Sequence, residues 1–259
     1  MKKSYVFGGL LSQGYPKLST LMLEQIDSPV KSIQGARMTL AAIEQTLSIN
    51  RLSTYRRAIF KRFGEDCPRL ALKLYEWNAE LSSYFFFPLH IYEVVLRNAI
   101  SDAIAIRYGQ DWPINVVFQN SLNYPDRQTL LKALDGNYRG VGKLLPELKF
   151  VWFENMLTSR HDGRIWRQYF TYTFPYAPNN LSTAKLRVQL KEACYVIRKF
   201  RNRCGHHEPI FNNGSLYEIY PLIAKSVQWR CCHTKQWMDE RESVTKLLGC
   251  LVTDPLLNE

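Results

Sequence analysis

From Leu70 to Ile104, apolar side chains return at the three- and four-residue spacing of a helix, through Leu74, Leu81, Phe85, Leu89, Tyr92, Leu96, Ile100, Ala103 and Ile104. Nowhere does the chain alternate clearly with period two over six residues or more. The pattern therefore predicts an all-α fold, organised as one domain. Pro88 falls inside the long apolar run, where its ring displaces the carbonyl four residues back. Two helices, or one bent helix, should cover 69–108, with Gly109 as the stop. A second strong stripe follows Ser182, a natural N-cap. Leu186, Leu190, Ala193, Cys194 and Ile197 share one face, with Lys185, Lys191, Glu192 and Arg198 mostly off it.

Weaker signals fill in the rest. Residues 1–35 combine Gly, Pro and Ser with faint periodicity and read as an extension, partly irregular. Helical pattern starts near Ala36 and recurs over 53–63, before a break at Asp66-Cys67-Pro68. Residues 109–125 look like loop, Asp126 like the cap of a helix through Leu134, and Asp135-Gly136-Asn137 like a turn. Further helices are expected at 145–158, 163–171, Leu216 to Trp229 and 236–251.

The 259 residues are 46% hydrophobic and 13% aromatic, ample for a core. The net charge of +11 favours a polyanionic partner, nucleic acid ahead of a membrane surface. No run approaches the roughly 18–20 apolar residues of a membrane span. The N-terminus lacks a convincing signal peptide, so a cytoplasmic location is expected by elimination. Six cysteines without framework spacing read as reduced thiols. Cys204, His206, His207, Cys231, Cys232 and His233 lack zinc-site spacing. No metal or other cofactor is expected.

Residues 198–211 concentrate the chemistry: Arg198, Lys199, Arg201, Asn202, Arg203, His206, His207 and Glu208 at the end of the Ser182 helix. On an unbroken helix Arg201 and His206 would lie about 140° apart. A left-handed turn at Gly205 would bring His206 back toward Arg201, and Pro209 would stop further helix. Cleavage of RNA by its own 2′-hydroxyl needs a base near neutral pH, which histidine provides. It also needs fixed positive charge on the phosphate, which a guanidinium provides. Asn202 can orient either group. The competing reading is structural: a solvated Arg-Asn-Arg helix end followed by a His-His-Glu cap.

His90, Glu93 and Arg97 share one helix face. They form either a surface ion pair beside a histidine or a face that backs the Arg201/His206 site, with Glu93 orienting an arginine or histidine. Trp152, Trp166, Tyr169, Tyr172 and Tyr176, interleaved with Arg160, Arg164 and Arg167, fit a core better than a base-stacking surface. Phe85-Phe86-Phe87 fits core or dimer interface.

The string Phe200-Arg201-Asn202-Arg203-Cys204-Gly205-His206-His207-Glu208-Pro209-Ile210-Phe211 resembles the signature of the Abi-like (AbiD/AbiF abortive-infection) proteins of the HEPN superfamily. That signature is an arginine, a polar residue, and a histidine after four to six intervening residues. Arg201 matches His206 in one register and His207 in another; His206 is preferred, and Asn202 takes the polar position. A second stretch is also similar: Leu74-Tyr75-Glu76-Trp77-Asn78, then Glu93-Val94-Val95-Leu96-Arg97-Asn98-Ala99-Ile100, then Trp112. The likeness spans roughly residues 50–230. It implies a HEPN-like helical bundle over 46–259, with 1–45 as an extension, which dimerises so that two motifs line one cleft. It also implies metal-independent endoribonuclease activity in phage defence or a toxin–antitoxin system, leaving 2′,3′-cyclic phosphate and 5′-hydroxyl ends. Arg201, His206 and Asn202 would be catalytic. His207, Arg203, Lys199, Glu208, Glu93, Arg97 and Asn98 would support them or bind RNA. An antitoxin or a phage-derived trigger would be a further partner. A non-catalytic RNA-binding or antitoxin-regulated module on the same fold is the alternative.

Overall fold

The computed structural model describes residues 40–136 and 138–252, with side chains through 249. Most of the expected N-terminal extension, Asn137 and the C-terminal tail lie outside the described residues. Twelve α-helices are connected by short turns, and no strand occurs among the described residues. The first two, α1 (Leu40–Leu47) and α2 (Ile49–Phe63), precede α3 (Pro68–Tyr108), a single helix of 41 residues. At 1.5 Å per residue it runs about 60 Å. Pro88 sits buried inside it without dividing it. The apolar contacts on that face hold the helix together across the missing hydrogen bond, and Gly109 ends it with φ 89°.

Residues 109–125 are more ordered than a loop. A 3₁₀ turn (Trp112–Ile114) leads into α4 (Val116–Ser121), then α5 (Tyr124–Leu134). Asn123, rather than Asp126, caps α5: its side chain accepts the Asp126 N–H at 2.8 Å. Asp126 lies in the first turn, where its carboxylate accepts from Asn123 and Asn155, each at 2.7 Å. Next, α6 (Val141–Leu144) precedes the expected helix over 145–158, which divides into a 3₁₀ turn (Leu145–Glu147) and α7 (Phe150–Met156). The expected 163–171 helix opens as a π turn (Asp162–Trp166) before α8 (Arg167–Thr173). Then follow α9 (Thr183–Gly205) and α10 (Leu216–Arg230). The predicted 236–251 helix is two, α11 (Cys232–Asp239) and α12 (Val244–Val252).

The core forms where α3 meets α7, α8, α9 and α10. The predicted α9 stripe is buried entirely, and Phe200 meets Phe85 of α3 edge-on with centroids 4.6 Å apart. Trp112 stacks on Trp152 at 5.8 Å. Each deep indole has a partner: Trp112 donates to Ser101, Trp152 to the Asp126 carbonyl and Trp166 to the Met156 carbonyl. That places Trp152 and Trp166 in the core, while Tyr172 and Tyr176 are exposed. The phenylalanine triplet splits: Phe85 is buried, Phe86 exposed, and Phe87 packs on Trp237. A smaller core of Tyr55, Ile59, Ala71 and Leu74 seals α2 onto the start of α3. No described helix is long and apolar enough to cross a membrane.

His161 is 1% exposed at the end of the Ser159–His161 turn. Burial, with the guanidiniums of Arg164 and Arg160 adding to it, pushes its pKa down from 6.5 to about 4. The unfolded chain takes up this proton near its ordinary pKa and the folded chain only near pH 4. The neutral imidazole's contribution is therefore complete above the unfolded pKa and drains away as pH falls to the folded one. That gap corresponds to roughly 3 kcal/mol. Urea unfolding across this window should show the wild type losing about that much more stability than His161→Phe. Parallel pH profiles would refute the assignment.

Candidate functional site

The C-terminus of α9 is closed by its backbone. The His206 N–H bonds the Asn202 carbonyl at 2.9 Å, the His207 N–H bonds Cys204 O at 3.1 Å, and the Glu208 N–H bonds Arg203 O at 2.8 Å. The last two bonds form a Schellman motif. The left-handed residue is His207, with φ 55°, and not Gly205, which stays helical. The bond pattern demands the left-handed conformation one position beyond the cap residue, which is His206. Glycine would adopt it without strain, but the residue there is histidine.

Three contacts from distant elements fix this turn. Arg51 of α2 donates to the His207 carbonyl at 2.7 Å. Asn78 of α3 is 4% exposed, and its side-chain oxygen accepts the N–H groups of Ile210 at 2.7 Å and Phe211 at 3.1 Å. The Phe211 ring lies 5.3 Å from that of Tyr55, whose hydroxyl is pushed up to about 12 chiefly by burial. Arg203 folds over the same segment, donating to the Pro209 carbonyl and to Asn212 at 3.3 Å, with Glu208 3.9 Å away. Its guanidinium therefore holds the loop more than it faces solvent.

Arg201 points toward α3, where its Nε lies 3.4 Å from Glu93 Oε2. Glu93 also pairs with Arg97, whose guanidinium lies 5.6 Å from the Phe153 ring centroid. The carboxylate thus sits between two arginines. Its side chain is 14% exposed and that of Arg201 is 45% exposed. A pair this open contributes about 0–1 kcal/mol, so it orients Arg201 more than it stabilises the fold. Asn98 is exposed about 140° around α3 from Glu93, and His90 is exposed as well. The structure does not bring Asn98 to the arginines.

His206 and His207 are exposed and Asn202 is half-buried. The helix continues through Gly205, so no left-handed turn there swings His206 back toward Arg201, and no hydrogen bond or ion pair joins their side chains among the described residues. Arg198 is held by Glu154 at 2.6 Å. Cys194 and Cys204 are each pushed up to about 12, mainly by burial. That keeps both thiols protonated at neutral pH. No group of three His, Cys, Asp or Glu is placed to hold a metal among the described residues.

Asn78, Glu154 and Arg51 are the residues that position the site without having been singled out for it. Asn78 stood within the family-like stretch but carried no assigned role. Arg51 gave no local signal, because its contact spans 156 positions. Comparison with protein-family models, with curated proteins and with solved structures gives no match to this chain.

Two variants test this construction. Asn78→Ala leaves the Ile210 and Phe211 N–H groups without their acceptor and should cost about 2–3 kcal/mol by urea unfolding. His207→Gly removes the imidazole, keeps the turn and relieves the left-handed strain, so it should raise stability by about 1 kcal/mol. A destabilised His207→Gly would show that the side chain itself holds the turn.

Proposed function

We propose that the protein is a metal-independent endoribonuclease of the HEPN type, acting in phage defence or a toxin–antitoxin system. The observation that carries this reading is the braced end of α9. It presents Arg201 and His206 at the surface beside the half-buried Asn202, while contacts from Asn78, Arg203 and Arg51 hold the adjoining backbone. Cations outnumber carboxylates there, with Arg51, Arg97, Arg198, Lys199, Arg201 and Arg203 against Glu93, Glu154 and Glu208. Such a surface attracts phosphodiesters.

In this reading, Arg201 neutralises the scissile phosphate. Glu93 aims its Nε side and leaves much of the side chain exposed. His206 takes the proton from the 2′-hydroxyl or gives one to the leaving 5′-oxygen. Asn202 orients the phosphate or the imidazole. The nucleophile is supplied by the substrate. One chain offers a single histidine in the preferred register, whereas in-line cleavage uses both a base and an acid, so the reading uses two copies about a two-fold axis, each supplying an arginine and a histidine to one cleft.

The alternative is a non-catalytic RNA-binding or antitoxin-regulated module. The engagement of Arg201 by Glu93, which partly neutralises its charge, favours it. The test is total RNA incubated with the purified chain in EDTA. The expected products carry 2′,3′-cyclic phosphate and 5′-hydroxyl ends. Arg201→Ala and His206→Ala should each lose about a hundredfold in rate or more. Neither should lose more than about 1 kcal/mol of stability. Mixed Arg201→Ala and His206→Ala chains should recover activity if the cleft is shared. Products with 3′-hydroxyl ends, or activity abolished by EDTA, would overturn the mechanism. Binding without cleavage would establish the module.

A further inference from the structure

Tyr195 of α9 belongs to neither the core nor the motif. The residue is 48% exposed, although Cys194 beside it is fully buried. Two cations lie against the ring: the Arg198 guanidinium 5.5 Å and the Lys199 ammonium 5.7 Å from its centroid. They are held differently. Arg198 is tethered by Glu154 at 2.6 Å, with its side chain only 16% exposed. Lys199 is exposed, and its ammonium makes no hydrogen bond or ion pair among the described residues.

The position of Tyr195 on the helix matters more than its exposure. Tyr124 and Tyr172 are each 75% exposed, yet neither has a cation over its ring among the described residues. Tyr195, Lys199, Asn202 and His206 stand at spacings of four, seven and eleven, which trace one line along α9 to its cap. Tyr195 is about 10 Å along the axis from Asn202. Arg201 leaves that line by about 120°, toward Glu93.

We infer that the exposed Tyr195 ring is a stacking platform for an unpaired base of single-stranded RNA, whose backbone follows α9 toward Asn202 and His206. This rests on the RNA reading above and adds the form of the substrate. A base offers a π face to the ring whatever its identity. As it stacks, it displaces Lys199, which then meets the neighbouring phosphate. Arg198, tethered to Glu154, remains against the ring. Bases within a duplex are already stacked on each other and have no free face for the tyrosine, so paired RNA gains nothing from this contact.

The experiment uses the full chain and short 2′-O-methyl oligouridine, which binds but has no 2′-hydroxyl to react. The comparison probes are an abasic oligomer with the same backbone and a duplex of the same length. Tyr195→Ala should weaken oligouridine binding by about tenfold or more, the scale of one lost stacked base. Tyr195→Phe and Tyr195→Trp should bind as the wild type does or more tightly. Binding of the abasic oligomer and the duplex should be unchanged by all three substitutions. Lys199→Ala should lower the slope of log affinity against log salt by about one phosphate contact. Equal loss on the abasic oligomer would overturn stacking in favour of a backbone contact. A fall in oligomer mass for Tyr195→Ala with unaltered RNA affinity would make the ring an interface between copies and overturn the proposal. A wild type that binds none of the three probes would instead refute the RNA reading itself.

Discussion

The antiparallel pairing of α3 with α9 is the contact on which the rest of the structure depends. Phe85 meets Phe200, Tyr92 lies beside Cys194, Ser82 beside Cys204 and Asn78 beside Ile210, so numbers rise along one helix as they fall along the other. The apolar members of this ladder supply the driving force, since burying a Phe-sized side chain contributes roughly 1.5–3 kcal/mol. The polar members supply register. Sliding α9 by one turn would strip the Ile210 and Phe211 N–H groups of Asn78 and set Glu93 opposite a different side chain. The site is thus an edge of the core, aligned by it.

Groups around the site divide by what they contribute. Asn78, Arg203 and Arg51 hold backbone, partly out of water, where an unmet hydrogen bond is expensive. Arg201, His206 and Lys199 are exposed, and their removal takes away little packing. Glu93 stands between the two sets: it is largely buried, yet both its partners are arginines whose positions it sets more than it is stabilised by them. Such a division leaves the charged and titratable side chains exposed while the backbone under them stays in place.

Much of this was legible from residue order. Period alone located α3, α9 and α10 and put Leu186 through Ile197 in the core. Ser182 caps α9 as its type suggests, with the Lys185 N–H donating to it at 3.4 Å. The short elements misled for a physical reason: between 109 and 173 the apolar residues serve several small helices at once, so no single period runs long enough to mark a boundary. The break at α9 misled differently. Glycine at 205 is the residue type suited to a left-handed turn, but the turn's bonds demand that conformation at 207.

The sequence by itself determined that the described chain is helical, which faces of its long helices are apolar, and where its positive charge and titratable groups concentrate. Those properties are local, since each depends on residue type and on a repeat of a few positions. Only the tertiary structure decided that Glu93 would meet Arg201, that Asn78 would hold the segment after the motif, and that α2 would brace the turn through Arg51. These contacts join residues separated by more than a hundred positions. No local spacing encodes them; they exist because the apolar faces of α2, α3 and α9 pack in one register and carry the polar edges with them.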